Sequence, residues 1–491
     1  MKISIQTIYD NLIGLVLLLV MALIVILGIV TYSSLNKNDL DQMSNQDRIE
    51  QNNVATKSLL SYTDARTDTN TTQLPAMPVW GNAGSKWCNP AFNNLCIVRL
   101  TDKTTVYPLS PAISSLQTAD SGEPHLVSKD SKHVLVRTVG GSTIVLAFDK
   151  TNSTVSKTAL TFNYTPQFSE VTSLLMYGLQ GTKIHKISIK GDYSSVSDKV
   201  LFDFASDKCL GTSFKATWNG IVTIAGEPNP TFKTSFSDKG GQGSGQYAVA
   251  WSVKDGCVVY DTVNGTVTTK KGTSQVSTKD RFYIHEASPG RNPNYGLITY
   301  SAKGPNGTNG CIAGDCGNNS PYVWNIGTSV VPCGPYSCDG HIGKGFNTFV
   351  SGKKLLVHNY SDPSQPLIAL ANFPSTFPDK HISANNNADY LGSPYFLVSQ
   401  QANSPSVYPS WGYDEVLAVA SDGSKKTYRF NQTLNSGKSP LFICQNAIGV
   451  VSPLGDYVVI TSDMGGQGAL GYEEDGVTSR CDVFAVLTSL K

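Results

Sequence analysis

The chain has 491 residues, 40% of them apolar and 15% charged, with 44 glycines and 24 prolines, a composition that excludes disordered, collagen-like and coiled-coil proteins and describes a turn-rich globular one. Its 38 basic and 37 acidic residues leave a formal net charge of +1, so no basic field points to nucleic acid and no acidic excess points to a basic partner.

Residues 1–11 are a short N-terminal segment. From Leu12 to Val30 the run LIGLVLLLVMALIVILGIV carries no charged residue, and as a helix it would be about 28 Å long, matching a bilayer core. A cleavable signal peptide needs a shorter apolar core and a small-x-small cleavage site, whereas IVTYSSLNK follows here. Residues 12–31 are therefore read as an uncleaved single-pass signal anchor, contacting the membrane through residues 12–30 and leaving the bulk of the chain outside the cytoplasm. A competing reading makes the same run the apolar stem of a surface-filament subunit; it predicts that removing residues 1–34 leaves a soluble monomer. Residues 32–78, rich in Asn, Gln, Asp and Thr, read as a polar stalk without a core of its own.

From residue 79 onward the helical period disappears, and short β-branched and aromatic runs alternate with Gly, Asn, Asp, Ser and Pro turns, an all-β pattern. One unit recurs: a polar opener, a strand, a tight turn, a second strand, then a third. The units begin at EPHLVSKDSKHVLVRT, TPQFSEVTSLLMYGL, TSFKATWNGIVTIAG, IHEASPGRNPNYGLITYSA, SCDGHIGKGFNTFVSGKKLLVHNY, DKHISANNNADYLGSPYFLVSQ and CQNAIGVVSPLGDYVVITSD. Seven units of about 60 residues each suit four-stranded propeller blades with long loops. Each small sheet exposes apolar faces it cannot bury alone, and radial packing about an axis buries both. The leftover strand CIVRLTD, Cys96 to Asp102, then completes the last unit and closes the circle. The fold expected over residues 79–491 is an all-β, seven-bladed β-propeller preceded by one transmembrane helix.

The ten cysteines, Cys88, Cys96, Cys209, Cys257, Cys311, Cys316, Cys333, Cys338, Cys444 and Cys481, form an even set, and outside the cytoplasm disulfides between sequence neighbours are the economical connectivity. The two Cys-x4-Cys units, CIAGDC and CGPYSC, also have a spacing that four zinc thiolates could use.

On SPLGDYVVITSDMGG, CDVFAVL, DKHISANN, GCVVYDTVNG, IHEASPG and YVWNIGT, the chain resembles WD-repeat and TolB-type β-propellers of bacterial extracytoplasmic proteins, many of them without assigned function. The likeness spans most of residues 80–491. It implies an architecture, and propellers host binding, scaffolding and catalysis alike.

Four of the seven histidines, His125, His285, His341 and His381, stand at unit openings. Glu123, Asp339 and Asp379 precede three of them by two positions, Glu286 follows His285, and Gln167 and Gln445 occupy similar places in the second and seventh units. In a propeller these openings enter the innermost strands and converge on the axis. Imidazoles backed by carboxylates can fix a divalent metal there, and oligogalacturonate-lyase-type propellers, which the chain distantly resembles in architecture, place histidines and a glutamine around such a metal. The same openings equally suit structural histidines that satisfy buried polar groups between blades, a product of repeat duplication.

Other motifs carry less. Gly466, Gly468 and Gly471 spell a dinucleotide fingerprint in a stretch with no crossover helix, and no nucleophile elbow, His-Glu-x-x-His or Walker loop occurs. Trp80, Trp87, Trp251, Trp324, Tyr408 and Trp411 are candidates to stack on sugars or peptides, or to pack between blades. Asn152, Asn163, Asn264, Asn359 and Asn431 lie in sequons. The leading functional expectation is a binding module for a protein or glycan ligand, with no catalytic residues and a divalent metal at the axis as the one candidate cofactor. The alternative is a metal-dependent polysaccharide lyase or hydrolase built on the axial histidines.

Overall fold

A computed structural model of the chain describes residues 62–489 apart from connecting stretches, among them 107–115, 118–124, 313–321, 333–340, 360–367, 384–394, 400–410 and 437–447. No helix among the described residues is long and apolar enough to cross a membrane, and the run Leu12–Val30 lies outside them. The described residues are almost wholly β, with seven antiparallel sheets, one four-residue α-helix, Lys103–Val106, and two 3-10 turns, Pro90–Phe92 and Pro305–Gly307.

The sheets follow the repeat in chain order. In the first, Leu116–Gln117 leads to His133–Thr138, Thr143–Asp149 and Thr154–Phe162; in the second, Pro166–Phe168 leads to Leu175–Gln180, Lys183–Ile189 and Val196–Asp203. The third runs from the short inner segments Lys215–Ala216 and Thr223–Ala225 through Thr231–Ser237, Tyr247–Ser252 and Gly256–Asp261. It carries one hairpin more than the repeat pattern predicts, Thr266–Thr269 with Gly272–Gln275, whose polar outer strand is exposed. Ile284–Ser288, His341–Ile342 and Lys380–Ser383 open the fourth, fifth and sixth sheets, and each is the edge strand from which its sheet builds outward in sequence order.

The seventh sheet joins the two ends of the described chain. Gly449–Val451, Tyr457–Ser462 and Asp482–Leu487 are followed in the sheet by Leu95–Arg99 and then Lys86–Asn89. The strand read as CIVRLTD thus closes the circle, pairing Ile97 with Val486 and Arg99 with Phe484. Polar groups reinforce the latch: Arg99 donates to Asp482 at 2.5 Å, and Thr101 Oγ1 donates to the same carboxylate at 3.0 Å. Asn431 of the sixth sheet donates to Leu95 O at 2.8 Å and accepts from Asn89 at 3.0 Å. It is fully buried, so this fold leaves no room for a glycan on it.

Strand alternation sends successive side chains to opposite faces, and here both faces are apolar. In the run Asp482–Leu487, Val483, Ala485 and Leu487 join a cluster with Val134, Val136, Ile144 and Leu146 of the first sheet, while Phe484 and Val486 join one with Phe396, Val416 and Phe430 of the sixth. Comparable clusters fill the joints between the first and second, second and third, third and fourth, and fifth and sixth sheets. Each fully buried aliphatic or Phe side chain contributes about 1.5–3 kcal/mol. Antiparallel sheets in chain order, packed face to face at six joints among the described residues, with the last sheet built from both ends, make a β-propeller.

The stretch read as a polar stalk through residue 78 is corrected by its described part, because the compact unit spans Leu60–Lys491. Tyr62 and Ala65 enter the core between the sixth and seventh sheets, and the Tyr62 hydroxyl donates to Gly455 O at 3.2 Å. Arg66 forms an antiparallel bridge with Arg429, adding a strap to the outer strand Thr427–Gln432 of the sixth sheet. Arg429 is fully buried and pairs with Glu415 through two bonds of 2.8 and 2.5 Å. It also donates to Asn70 O at 2.7 Å, Thr72 Oγ1 at 2.9 Å, and Asp68 O and Oδ1 at 3.2 Å each. A polar composition concealed this docking because most of the strap's bonds are made by its backbone.

Disulfides appear between sequence neighbours, as the economical pairing predicts. Cys88–Cys96 staples the two outer strands of the seventh sheet at directly opposed positions, and Cys209–Cys257 ties the segment after the second sheet to the third. Cys311 and Cys481 are also disulfide-bonded. Cys316, Cys333, Cys338 and Cys444 lie outside the described residues, but the bonded Cys311 is not free to serve as one of four zinc thiolates.

Candidate functional site

The inner edges of the sheets are where the repeat brings its polar openers. His285, His341 and His381 all lie in inner strands: His341 opposes Thr348, His381 opposes Val398, and His285 sits at the register irregularity between Ile284 and Glu286. The inner strands of the fifth, sixth and seventh sheets are neighbours, and the Ser383 hydroxyl of the sixth accepts from the Val451 N–H of the seventh at 3.1 Å. The backbone therefore sets the inner strands that carry His341 and His381 beside one another. The side chains of His285, Glu286, His341 and His381 lie outside what the structure describes, as do residues Glu123, Asp339, Asp379 and Gln445.

His125 is described in full. It precedes Val127, which bridges to Val134 along the inner edge of the first sheet, and its carbonyl accepts from the Phe168 N–H of the second sheet at 2.8 Å. The ring is buried, and Nε2 lies 3.2 Å from Glu170 Oε1. Its described carboxylate partner thus comes from the neighbouring sheet.

From Glu170 the polar contacts continue. Glu227, just past the inner segment Thr223–Ala225, accepts the Glu170 N–H at 2.5 Å and the Ser169 hydroxyl at 2.7 Å. Burial, aided by the Glu227 charge and hydrogen bond, pushes the Tyr177 hydroxyl up to about 12. Lys233 is buried in the third sheet and donates to Tyr295 O of the fourth at 2.7 Å. Burial draws its ammonium down to about 7 against the opposing pull of Glu170. His125, Glu170, Glu227 and Lys233 are thus successive ties across the first four sheets.

A second regularity supports this structural role. Ser128, Ser169 and Ser452 each cap the turn after an inner segment, the hydroxyl accepting backbone amides: His133 N–H at 2.9 Å, Val171 and Thr172 N–H at 3.1 Å, and Asp456 N–H at 3.1 Å. Each donates to a carboxylate, Ser128 to Asp130 at 2.5 Å, Ser169 to Glu227 at 2.7 Å and Ser452 to Asp456 at 2.5 Å. Asp456 receives Lys150 of the first sheet at 2.6 Å, and the Tyr457 hydroxyl donates to Ser131 O at 2.9 Å. A serine bound to both a turn and an acid satisfies buried polar groups and fixes hairpin geometry. The signal for these residues stands in the turns VSKD, FSEV and VSPLGD, whose serines meet their carboxylates only in the folded chain.

Among the described residues no three His, Cys, Asp or Glu side chains converge as metal ligands, and His125 already spends Nε2 on Glu170. The described part of the site therefore does not fit a metal. The aromatic candidates Trp251, Trp324 and Trp411 are buried, and Trp80 packs edge-on against Phe484; these are packing residues. Tyr408 lies outside the described residues.

No protein-family model matches the chain, and no curated protein sequence does. Among solved structures, an oligogalacturonate lyase in complex with manganese aligns over 86% of this chain and 99% of its own, with a TM-score of 0.46 and 9% identity. The oligogalacturonate lyase of Vibrio parahaemolyticus aligns over 81% and 94%, with a TM-score of 0.42 and 9% identity. The WD40 β-propeller domain of Doa1 aligns over 77% and 95%, with a TM-score of 0.38 and 10% identity. This chain is similar in architecture to lyases and to WD40 domains alike, and the propeller assignment itself stands on strand order, face-to-face packing of successive sheets and the closure of the last sheet by the N-terminal strands.

Proposed function

We propose that the chain is a membrane-anchored, extracytoplasmic, seven-bladed β-propeller that serves as a binding module for a protein or glycan at the cell surface or in the envelope. The observation that carries this reading is the fate of the described polar groups at the inner edges. His125, Glu170, Glu227 and Ser169 hold neighbouring sheets to one another, which makes a rigid scaffold whose loops are displayed in fixed positions. The charge-free run 12–30 supports the anchor, and disulfides such as Cys88–Cys96 and Cys209–Cys257 suit an oxidising compartment. A near-neutral chain argues against a nucleic-acid partner.

The deciding experiment is metal analysis of the purified protein beside His341→Ala and His381→Ala variants. A binding module carries no stoichiometric metal in any of the three. One metal per chain, lost in both variants, would replace this reading with that of a metal-dependent lyase or hydrolase acting at the propeller axis.

A further inference from the structure

The joint between the sixth and seventh sheets holds two buried carboxyls that none of the ties above employs. Asp414, immediately before the strand Glu415–Val419, is fully buried. Its Oδ1 accepts from the Thr433 hydroxyl and, at 3.2 Å, from the Asn435 N–H, while its Oδ2 has no hydrogen-bond partner. Asp463, just past the strand Tyr457–Ser462, accepts the Ser436 N–H at 2.7 Å on Oδ1 and the Ser436 hydroxyl on Oδ2. The stretch from Thr433 to Ser436 is thus held at its start by Asp414 and at its end by Asp463, and the Gly465 N–H closes the knot on Leu434 O at 2.6 Å. Asp414, Leu434 and Met464 all take left-handed backbone angles, with φ of 57°, 54° and 49°. Non-glycine residues persist there only where their surroundings hold them.

Among the described residues, the groups facing Asp414 are Thr433 and Asn435 from the segment after the outer strand, Glu415 from its own strand, and Asp463 from the seventh sheet. The charged ones are both acidic. Arg429 is engaged with Glu415 and the N-terminal strap. Like charges in a buried site cannot all ionise, and a bare carboxylate oxygen costs far more than a neutral carboxyl in the same place.

We propose that this joint is a pH-sensitive latch, closed while Asp414 carries a proton and loosened when that proton leaves for solvent. Burial, reinforced by Glu415 and Asp463, raises the Asp414 carboxyl from 3.8 to about 8. The unfolded chain releases this proton near pH 4 and the folded chain near pH 8. The latch is therefore strongest below about pH 4, weakens as the pH rises, and above about pH 8 sets two carboxylates against each other.

The test is amide hydrogen exchange on the full chain, following Asn435, Ser436 and Gly465 between pH 5 and 9 after correction for intrinsic exchange rates. One-proton linkage predicts an opening constant that rises up to about tenfold per pH unit until about pH 8. Asp414→Asn keeps the Oδ1 acceptor, tolerates the left-handed backbone and cannot ionise, so its corrected profile should be flat. Should that variant not fold, Asp463→Asn removes the opposing charge and should end the rise at a lower pH. Variant profiles that parallel the parent's would overturn the proposal. So would calcium restoring protection to the parent at pH 8, because a cation rather than a proton would then close the joint.

Discussion

Replacing Arg429 by methionine tests how the N-terminal strap is joined to the propeller. Methionine fills much of the buried volume but strands Glu415, which is 1% exposed and has burial pushing its carboxyl up against the pull of the guanidinium. Breaking a buried pair by removing one partner costs about 3–5 kcal/mol, because the remaining charge is uncompensated. Further losses are the donors to Asn70 O and Thr72 Oγ1, each worth about 1 kcal/mol. Urea unfolding of the purified protein should therefore place Arg429→Met at least about 3 kcal/mol below the parent, and limited proteolysis should cut within residues 62–80. The double variant Glu415→Met with Arg429→Met removes the stranded charge and should recover part of the loss, while the strap stays open to protease. A single variant within about 1 kcal/mol of the parent, or a double variant less stable than the single, would refute the assignment of Arg429 as the tie.

Three further outcomes follow from packing and covalent closure. Because Cys209–Cys257 closes a separation of 48 residues and Cys88–Cys96 one of 8, replacing the former pair by serines should cost about 4 kcal/mol and the latter about 2.5, read by urea unfolding; the reverse order would contradict a loop-entropy origin. Gly449→Ala would place a methyl group 2.1 Å from Val398 Cγ2, and since valine is stiff at χ1 the overpacking should lower stability by about 1–3 kcal/mol in the same assay. Asp414→Asn should be more stable than the parent at pH 8 and lose that advantage towards pH 4, the opposite of most buried polar substitutions, as thermal unfolding at the two pH values will read.

Much of the architecture was legible because a propeller is a repeated local solution. The seven openers, the hairpin turns and the β-branched runs each report on a few residues, and the closing strand could be recognised as the one left without a unit. The third sheet's extra hairpin was less visible, since TVTTKKGTSQ is polar and fits a loop as readily as an edge. The strap escaped entirely: Tyr62, Ala65 and Arg66 lie in a hydrophilic stretch, and what seats them is an edge strand more than 350 positions away.

The site divides in the same way. Repetition alone singled out His125, His285, His341 and His381 as candidate openers, because a duplicated unit places similar residues at similar points of each repeat. Identity and spacing could not say what each would meet. Glu170 reaches His125, Glu227 receives Ser169, and Asp463 stands against Asp414 only after sheets distant along the chain are packed side by side. Amino-acid order thus determined strands, turns, the repeat and its closure, all of which depend on short-range periodicity. Tertiary packing decided partnerships and protonation, because burial and the approach of a second charge are properties of the assembled joint.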